Sequence, residues 1–174
     1  MTALSSPANR LRVAQLNPHR PLEIDLAPDA DSRAALAAGM GLLDLPALRL
    51  TGTLRASGSR DWLLEGRLVA DVVQPCGITL APVPAHIDEA LRRRWSPDLA
   101  APEAEEAEMG DDEVEPLGAV IDLGAVLAEA LALALPPWPR AEGAELPGEA
   151  PAPEDGRRKP FADLSALLAR KPRG

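Results

Sequence analysis

Aromatic side chains are almost missing from this sequence, which has three Trp, one Phe and no Tyr. Apolar burial therefore falls to Leu, Val, Ile and Ala, at about 25 cal/mol per Å² removed from water, and an ordinary to marginal stability is expected. Cysteine is equally scarce. The single Cys76 excludes an internal disulfide, suits a reducing compartment and is too little to build a zinc cage. Positive charge is short as well, with 18 Lys and Arg against 27 Asp and Glu, a formal charge of −9. A surface of that sign repels a phosphate backbone, so any nucleic-acid contact must use a local basic patch. No long hydrophobic run is present: the longest apolar tract, around residues 123–135, is interrupted by Glu129 and falls short of the roughly 20 residues of a membrane span. The N-terminal residues lack a basic stretch leading into a continuous apolar run, a poor match to a secretory signal. No Gly-Lys-Ser or Gly-Lys-Thr occurs, so nucleotide hydrolysis has no support. A soluble, cytoplasmic protein without a membrane partner is expected.

What is present is a chain of 174 residues, the usual size of one domain, with 19 Pro and 13 Gly gathered mainly in three stretches. Residues 11–16 and 22–26 alternate moderately about Asn17-Pro18-His19-Arg20-Pro21 and read as two short strands. Asp31-Ser32 can cap a short alanine-rich helix that Gly39 and Gly41 end. In residues 47–55, Leu48, Leu50 and Leu54 share one face of a strand. Ser57-Gly58-Ser59 then turns into residues 62–73, where Trp62, Leu64, Leu68, Ala70 and Val72 share one parity, so the pair reads as an antiparallel hairpin. Residues 78–87 suggest a further strand, with Pro82 and Pro84 favouring an edge, where the meander is expected to end. Asp122 can cap a helix whose Leu123, Val126, Leu127, Ala130, Leu131, Ala134 and Leu135 follow helical spacing until Pro136-Pro137 stops it. The expected fold is α+β: an antiparallel meander of about five strands packed with one main helix and one or two short helices. Residues 1–140 are expected to form this single domain, with an acidic loop over about 98–116. Residues 141–156 read as a Pro/Glu/Gly-rich linker. Residues 157–174 read as a basic tail in which Phe161, Leu164, Leu167 and Leu168 sit at helical spacing.

Few residues offer chemistry. Cys76 lies where a strand yields to a turn, but a nucleophilic thiol needs a base and an electropositive setting. Nothing in the sequence brings His19 or His86 to it, and no metal-ligand spacing repeats. A packed or turn-lining thiol is the simpler reading, and no catalytic residue, metal or cofactor is expected. Eight carboxylates between residues 103 and 115 lack the regular oxygen-ligand loop of a calcium site and read as a solvating loop. Arg92, Arg93 and Arg94 beside Trp95 combine charge with a stacking surface able to hold RNA, against the plainer reading of a solvated strand end or helix face. The tail, with Arg157, Arg158, Lys159, Arg170, Lys171 and Arg173 opposed only by Asp163, allows phosphate contacts or simple solubilisation.

Three segments taken in order resemble one known family. Val72-Val73-Gln74-Pro75-Cys76-Gly77-Ile78-Thr79-Leu80-Ala81-Pro82-Val83 resembles the central cysteine turn of the YceD-like family, the large ribosomal RNA subunit accumulation proteins. Ile121-Asp122-Leu123, the leucines that follow and Pro136-Pro137-Trp138-Pro139-Arg140 are similar to its acidic cap, leucine-rich helix and proline-bounded exit. Arg158-Lys159-Pro160-Phe161-Ala162-Asp163-Leu164 is similar to its terminal element. Thr79 stands where many members carry the second cysteine of a Cys-x-x-Cys pair, which puts any paired-thiol role in doubt here. The resemblance implies a bacterial factor, without known enzymatic activity, for the synthesis, processing or stability of large-subunit ribosomal RNA. Its partner would be a ribosome-assembly protein or the RNA precursor itself, met through Trp138, Arg140, Lys159 and Phe161, with Arg92, Arg93, Arg94 and Trp95 as a further contact. The rival reading is a protein-binding adaptor or inhibitor whose acidic loop imitates nucleic acid.

Overall fold

The computed structural model describes residues 9–58, 60–98 and 114–145. The chain divides into two units, Met1–Ala144 and Glu145–Gly174, and of the second only Glu145 is described. Strand β1 (Arg10–Arg12) runs into a single 3-10 turn, Val13–Gln15, so the first expected strand shrinks to three residues. Strand β2 (Leu22–Leu26) follows the two-proline turn. Helix α1 (Ala30–Met40) is capped by Asp29, whose Oδ1 accepts from the Ser32 amide at 2.7 Å, so the cap lies two residues before the expected Asp31. Gly41, at φ 70°, takes the left-handed conformation and Leu42 N donates to Ala37 O at 2.9 Å, closing the helix in a Schellman arrangement.

Strands β3 (Asp44–Ser57), β4 (Asp61–Pro75) and β5 (Pro82–Ser96) are long and antiparallel. They place Leu48, Leu50 and Leu54 beside Ala70, Leu68 and Leu64, the shared parity read from the sequence. Gly52 faces Gly66 across this pair, and a Cβ on Gly52 would lie 2.5 Å from the Glu65 carbonyl oxygen, so the two backbones approach as only glycine permits. β5 corrects the expected strand over 78–87: it starts at Pro82 and continues through the arginine triplet to Ser96. Short β6 (Val114–Pro116) and β7 (Val120–Asp122) complete the strands. The main sheet has the order β2-β3-β4-β5-β6, antiparallel except for β5 with β6, while β1 and β7 form a separate two-stranded sheet. β6 claims the end of the expected acidic loop; residues 99–113 of that loop lie outside the described residues.

Helix α2 (Leu123–Ala134) starts at Asp122, whose carboxylate accepts from Ala125 N at 3.1 Å, as the sequence predicted. Its apolar stripe spans both halves of the core. Leu127, Ala130 and Leu131 pack with Leu50, Leu68, Ala70, Val72 and Ile87, and Leu123 and Val126 pack with Leu54, Trp62, Leu64 and Trp95. The fold is therefore α+β, a mixed but mostly antiparallel sheet covered on one face. No helix among the described residues is long and apolar enough to cross a membrane.

Candidate functional site

The arginine triplet divides because a strand alternates its faces. Arg93 pairs in register with buried Leu64 and points inward, only 12% exposed, while Arg92 pairs with Glu65 on the opposite face. Arg93 meets Glu115 of β6 at 2.5 Å and Glu129 of α2 at 3.0 Å. Trp95 shares that inner face, is 4% exposed, and donates its indole N–H to Glu115 at 2.9 Å. Glu115 thus fastens β6 to two residues of β5, and Arg93 fastens α2 to both. The expectation that Trp95 offers a stacking face for RNA is corrected, because its ring belongs to the core. Arg92 lies 3.9 Å from Glu65, and Arg94 is half-buried.

Cys76 lies one residue past β4, fully buried. Its Sγ accepts backbone N–H groups from Ile78 at 3.4 Å, Thr79 at 3.5 Å and Ala141 at 3.4 Å. The Ala141 amide is the strongest of the influences that push the thiol down to about 6, followed by the hydroxyl and amide of Thr79 and the amide of Ile78; burial opposes them. Cys76 and Leu80 close a tight turn, with Leu80 N donating to Cys76 O at 3.0 Å and Cys76 N to Ala81 O at 2.8 Å. His86 is engaged elsewhere, its Nδ1 2.7 Å from Asp71, and among the described residues no group of three His, Cys, Asp or Glu side chains gathers to hold a metal.

That turn grips the segment after α2. Gly77 N donates to Pro139 O at 2.9 Å, Gln74 Nε2 donates to Pro136 O at 3.2 Å, and Ala141 N reaches the Cys76 sulfur. Two interlocked loops result, and each holds a large apolar side chain in water: Leu80, 73% exposed, and Trp138, 85% exposed. Leu80 also carries a positive φ of 61°, a conformation that costs a branched residue about 1–2 kcal/mol and persists only where its surroundings impose it. Arg140, two residues after Trp138, is exposed. Sequence reasoning singled out Trp138 and Arg140 but missed Leu80, since nothing local marks a leucine for left-handed backbone. Lys159 and Phe161, with the rest of the expected tail, lie outside the described residues.

The described body is a sheet covered by α2, with two hydrogen-bonded loops that hold Leu80 and Trp138 exposed. The chain belongs to the family described as large ribosomal RNA subunit accumulation protein YceD, whose model matches residues 64–168. Its general role is accordingly the accumulation of large-subunit ribosomal RNA. No curated protein matches the chain. No solved structure matches it either.

Proposed function

We propose that the protein is a non-enzymatic accessory factor of large ribosomal subunit biogenesis in the bacterial cytoplasm, supporting the synthesis, processing or stability of large-subunit RNA by docking on an assembly partner through the Leu80–Trp138 platform. The observation that carries this reading is the pair of exposed apolar side chains on loops tied together by the Gly77–Pro139 and Ala141–Cys76 bonds. A large apolar ring kept in water on a rigid base is pre-ordered for binding, so little conformational entropy is lost when a partner covers it. Arg140, exposed two residues after Trp138, adds a cation to the same loop, suited to an acidic rim on the partner. The non-catalytic part of the reading is supported by Cys76, whose sulfur is already engaged by three amides inside the protein.

The test is co-sedimentation of the full chain with large-subunit precursors. Trp138→Ala is expected to weaken association by about tenfold or more, equivalent to about 1.4 kcal/mol, without moving the unfolding midpoint. Leu80→Gly is expected to stabilise the isolated protein by up to about 1 kcal/mol, by relieving the left-handed leucine, and yet to weaken association. Both variants co-sedimenting like the parent would overturn the platform. Cells depleted of the protein are expected to accumulate precursor over mature large-subunit RNA, and complementation by Cys76→Ser is expected.

A further inference from the structure

Away from that platform, β1, the turn after it and the start of β2 line a cleft of about 570 Å³, with Trp62 also in its lining. Arg10, Arg12 and Arg20 all line it, a local gathering of cations on a chain whose formal charge is −9. Arg10 and Arg12 are two residues apart on a strand, so their side chains leave the same face about 6.5 Å apart. Arg20 comes from the 17–21 turn, where His19 N donates to Asn17 Oδ1 at 2.9 Å and Arg20 N to Asn17 O at 3.2 Å.

Two of the three charges are not spent internally. Arg10 shares Asp122 at 3.6 Å with that carboxylate's helix-capping bond. Among the described residues, Arg12 and Arg20 have no side-chain hydrogen bond or ion pair. Glu23, the acidic member of the lining, accepts from the Thr53 hydroxyl at 3.2 and 3.3 Å. Gln15 and Asn17 add neutral polar groups, and Leu16 and Leu22 add an apolar wall. The lining residues, from Arg10 to Trp62, all precede the 64–168 span that the family model matches.

We propose that this cleft binds the phosphate backbone of a single-stranded RNA segment. Guanidinium groups at alternate positions of a strand, with a third from the adjoining turn, suit neighbouring phosphates, each able to take two parallel N–H bonds. The apolar wall gives riboses and base edges a surface, and a cleft of this size takes a few nucleotides rather than the flank of a duplex. An acidic peptide is the less fitting occupant, because its carboxylates would bring no planar apolar group to Leu16 and Leu22. The inference deepens the role in large-subunit RNA accumulation by adding direct RNA contact, and it rests on that role. It does not rest on the Trp138 platform.

The test is binding of the full chain to a fluorescent single-stranded RNA 12-mer, followed by anisotropy across a salt series. Joint replacement Arg12→Ala with Arg20→Ala is expected to weaken binding about tenfold and to lower the slope of log affinity against log salt by about 1.4, since each single-strand phosphate contact contributes about 0.7. Arg12→Lys with Arg20→Lys is expected to recover part of the affinity, and Arg55→Ala, on the uncovered face of the sheet, to bind the oligonucleotide like the parent; oligonucleotide binding is read apart from precursor co-sedimentation, so failure here is distinct from failure of the platform. In the parent protein, RNA is expected to shield Arg12 and Arg20 from a guanidinium-directed dicarbonyl reagent, a measurement that needs no variant. Unchanged affinity in the alanine variant, absence of shielding, or tighter Arg12- and Arg20-dependent capture of a polyglutamate peptide than of RNA would each overturn the proposal.

Discussion

Cys76 behaves as the acceptor at the centre of three amides rather than as an apolar filler. The thiol is pushed down to about 6 in the folded protein, against an ordinary value of 9.0. An acid depressed on folding contributes stability that is complete above the unfolded value, shrinks as pH falls between the two, and is gone below the folded one. The parent is therefore expected to show a urea midpoint that rises from pH 6 to pH 9 relative to Cys76→Ser, whose hydroxyl does not ionise; parallel profiles would refute the charged acceptor. Arg93 makes the opposite point about legibility. Three arginines in a row look like one basic cluster, yet the strand turns Arg93 inward to Glu115 and Glu129 while Arg92 faces away. Arg93→Ala removes the cation shared by two carboxylates and is expected to cost about 2 kcal/mol in chemical denaturation, below the figure for a fully buried pair because Glu129 is half exposed.

At the scale of elements, α2 was readable because cap, stripe and stop are all local. Asp122, the leucines at helical spacing and Pro136-Pro137 mark its start, face and end within sixteen residues. Asp122→Ala is expected to lower stability by about 1 kcal/mol through the lost cap, and Leu127→Ala by about 3 kcal/mol through the cavity left beside Leu50 and Leu68. Equal losses measured by thermal unfolding would argue that α2 does not seal the core as described. The reach of β5 was not readable in the same way, since Asp88, Glu89 and the arginines break the apolar alternation that normally marks a strand. Asp88 and Arg92 remain in the strand because that face is open and their charges pair across it with Arg67 and Glu65, while inward Arg93 is matched by Glu115 and Glu129. β6 was lost for a related reason: three residues at the end of an acidic run carry no periodicity, and the strand is defined by its partner on β5.

For the whole molecule, the uncovered face of the sheet is a lattice of exposed ion pairs. Arg49 holds Asp25 at 2.6 and 2.8 Å, Arg67 holds Asp88, Arg55 reaches Glu65 at 2.8 Å, and His86 reaches Asp71. The hydrogen bonds from Arg49 and Arg67 hold the carboxyls of Asp25 and Asp88 below their ordinary value of 3.8. Depressed carboxylates add stability that is present above that value and lost as pH falls through the folded ones. Stability is accordingly expected to drop below about pH 4, and Asp25→Asn with Asp88→Asn to blunt that drop; identical acid profiles would place the sensitivity elsewhere. Near neutral pH these exposed pairs contribute little. Their larger effect is on the electrostatic surface, where the sheet's cations are matched locally while Arg12 and Arg20 are left available at the cleft.

The sequence by itself determined the α+β class, the β3–β4 hairpin with its inward leucines, the capped helix that covers it, and the excess of negative charge. Each follows from spacing along one dimension, because strand and helix periods decide which neighbours in sequence share a face. Only the tertiary structure decided that Trp95 is core, that Leu80 is held left-handed in a loop bonded to the one that exposes Trp138, that the Cys76 sulfur meets an amide from residue 141, and that Arg20 joins Arg10 and Arg12. These arrangements are set by contacts between residues distant in the chain, where the energy of pairing and burial overrides what each residue does alone.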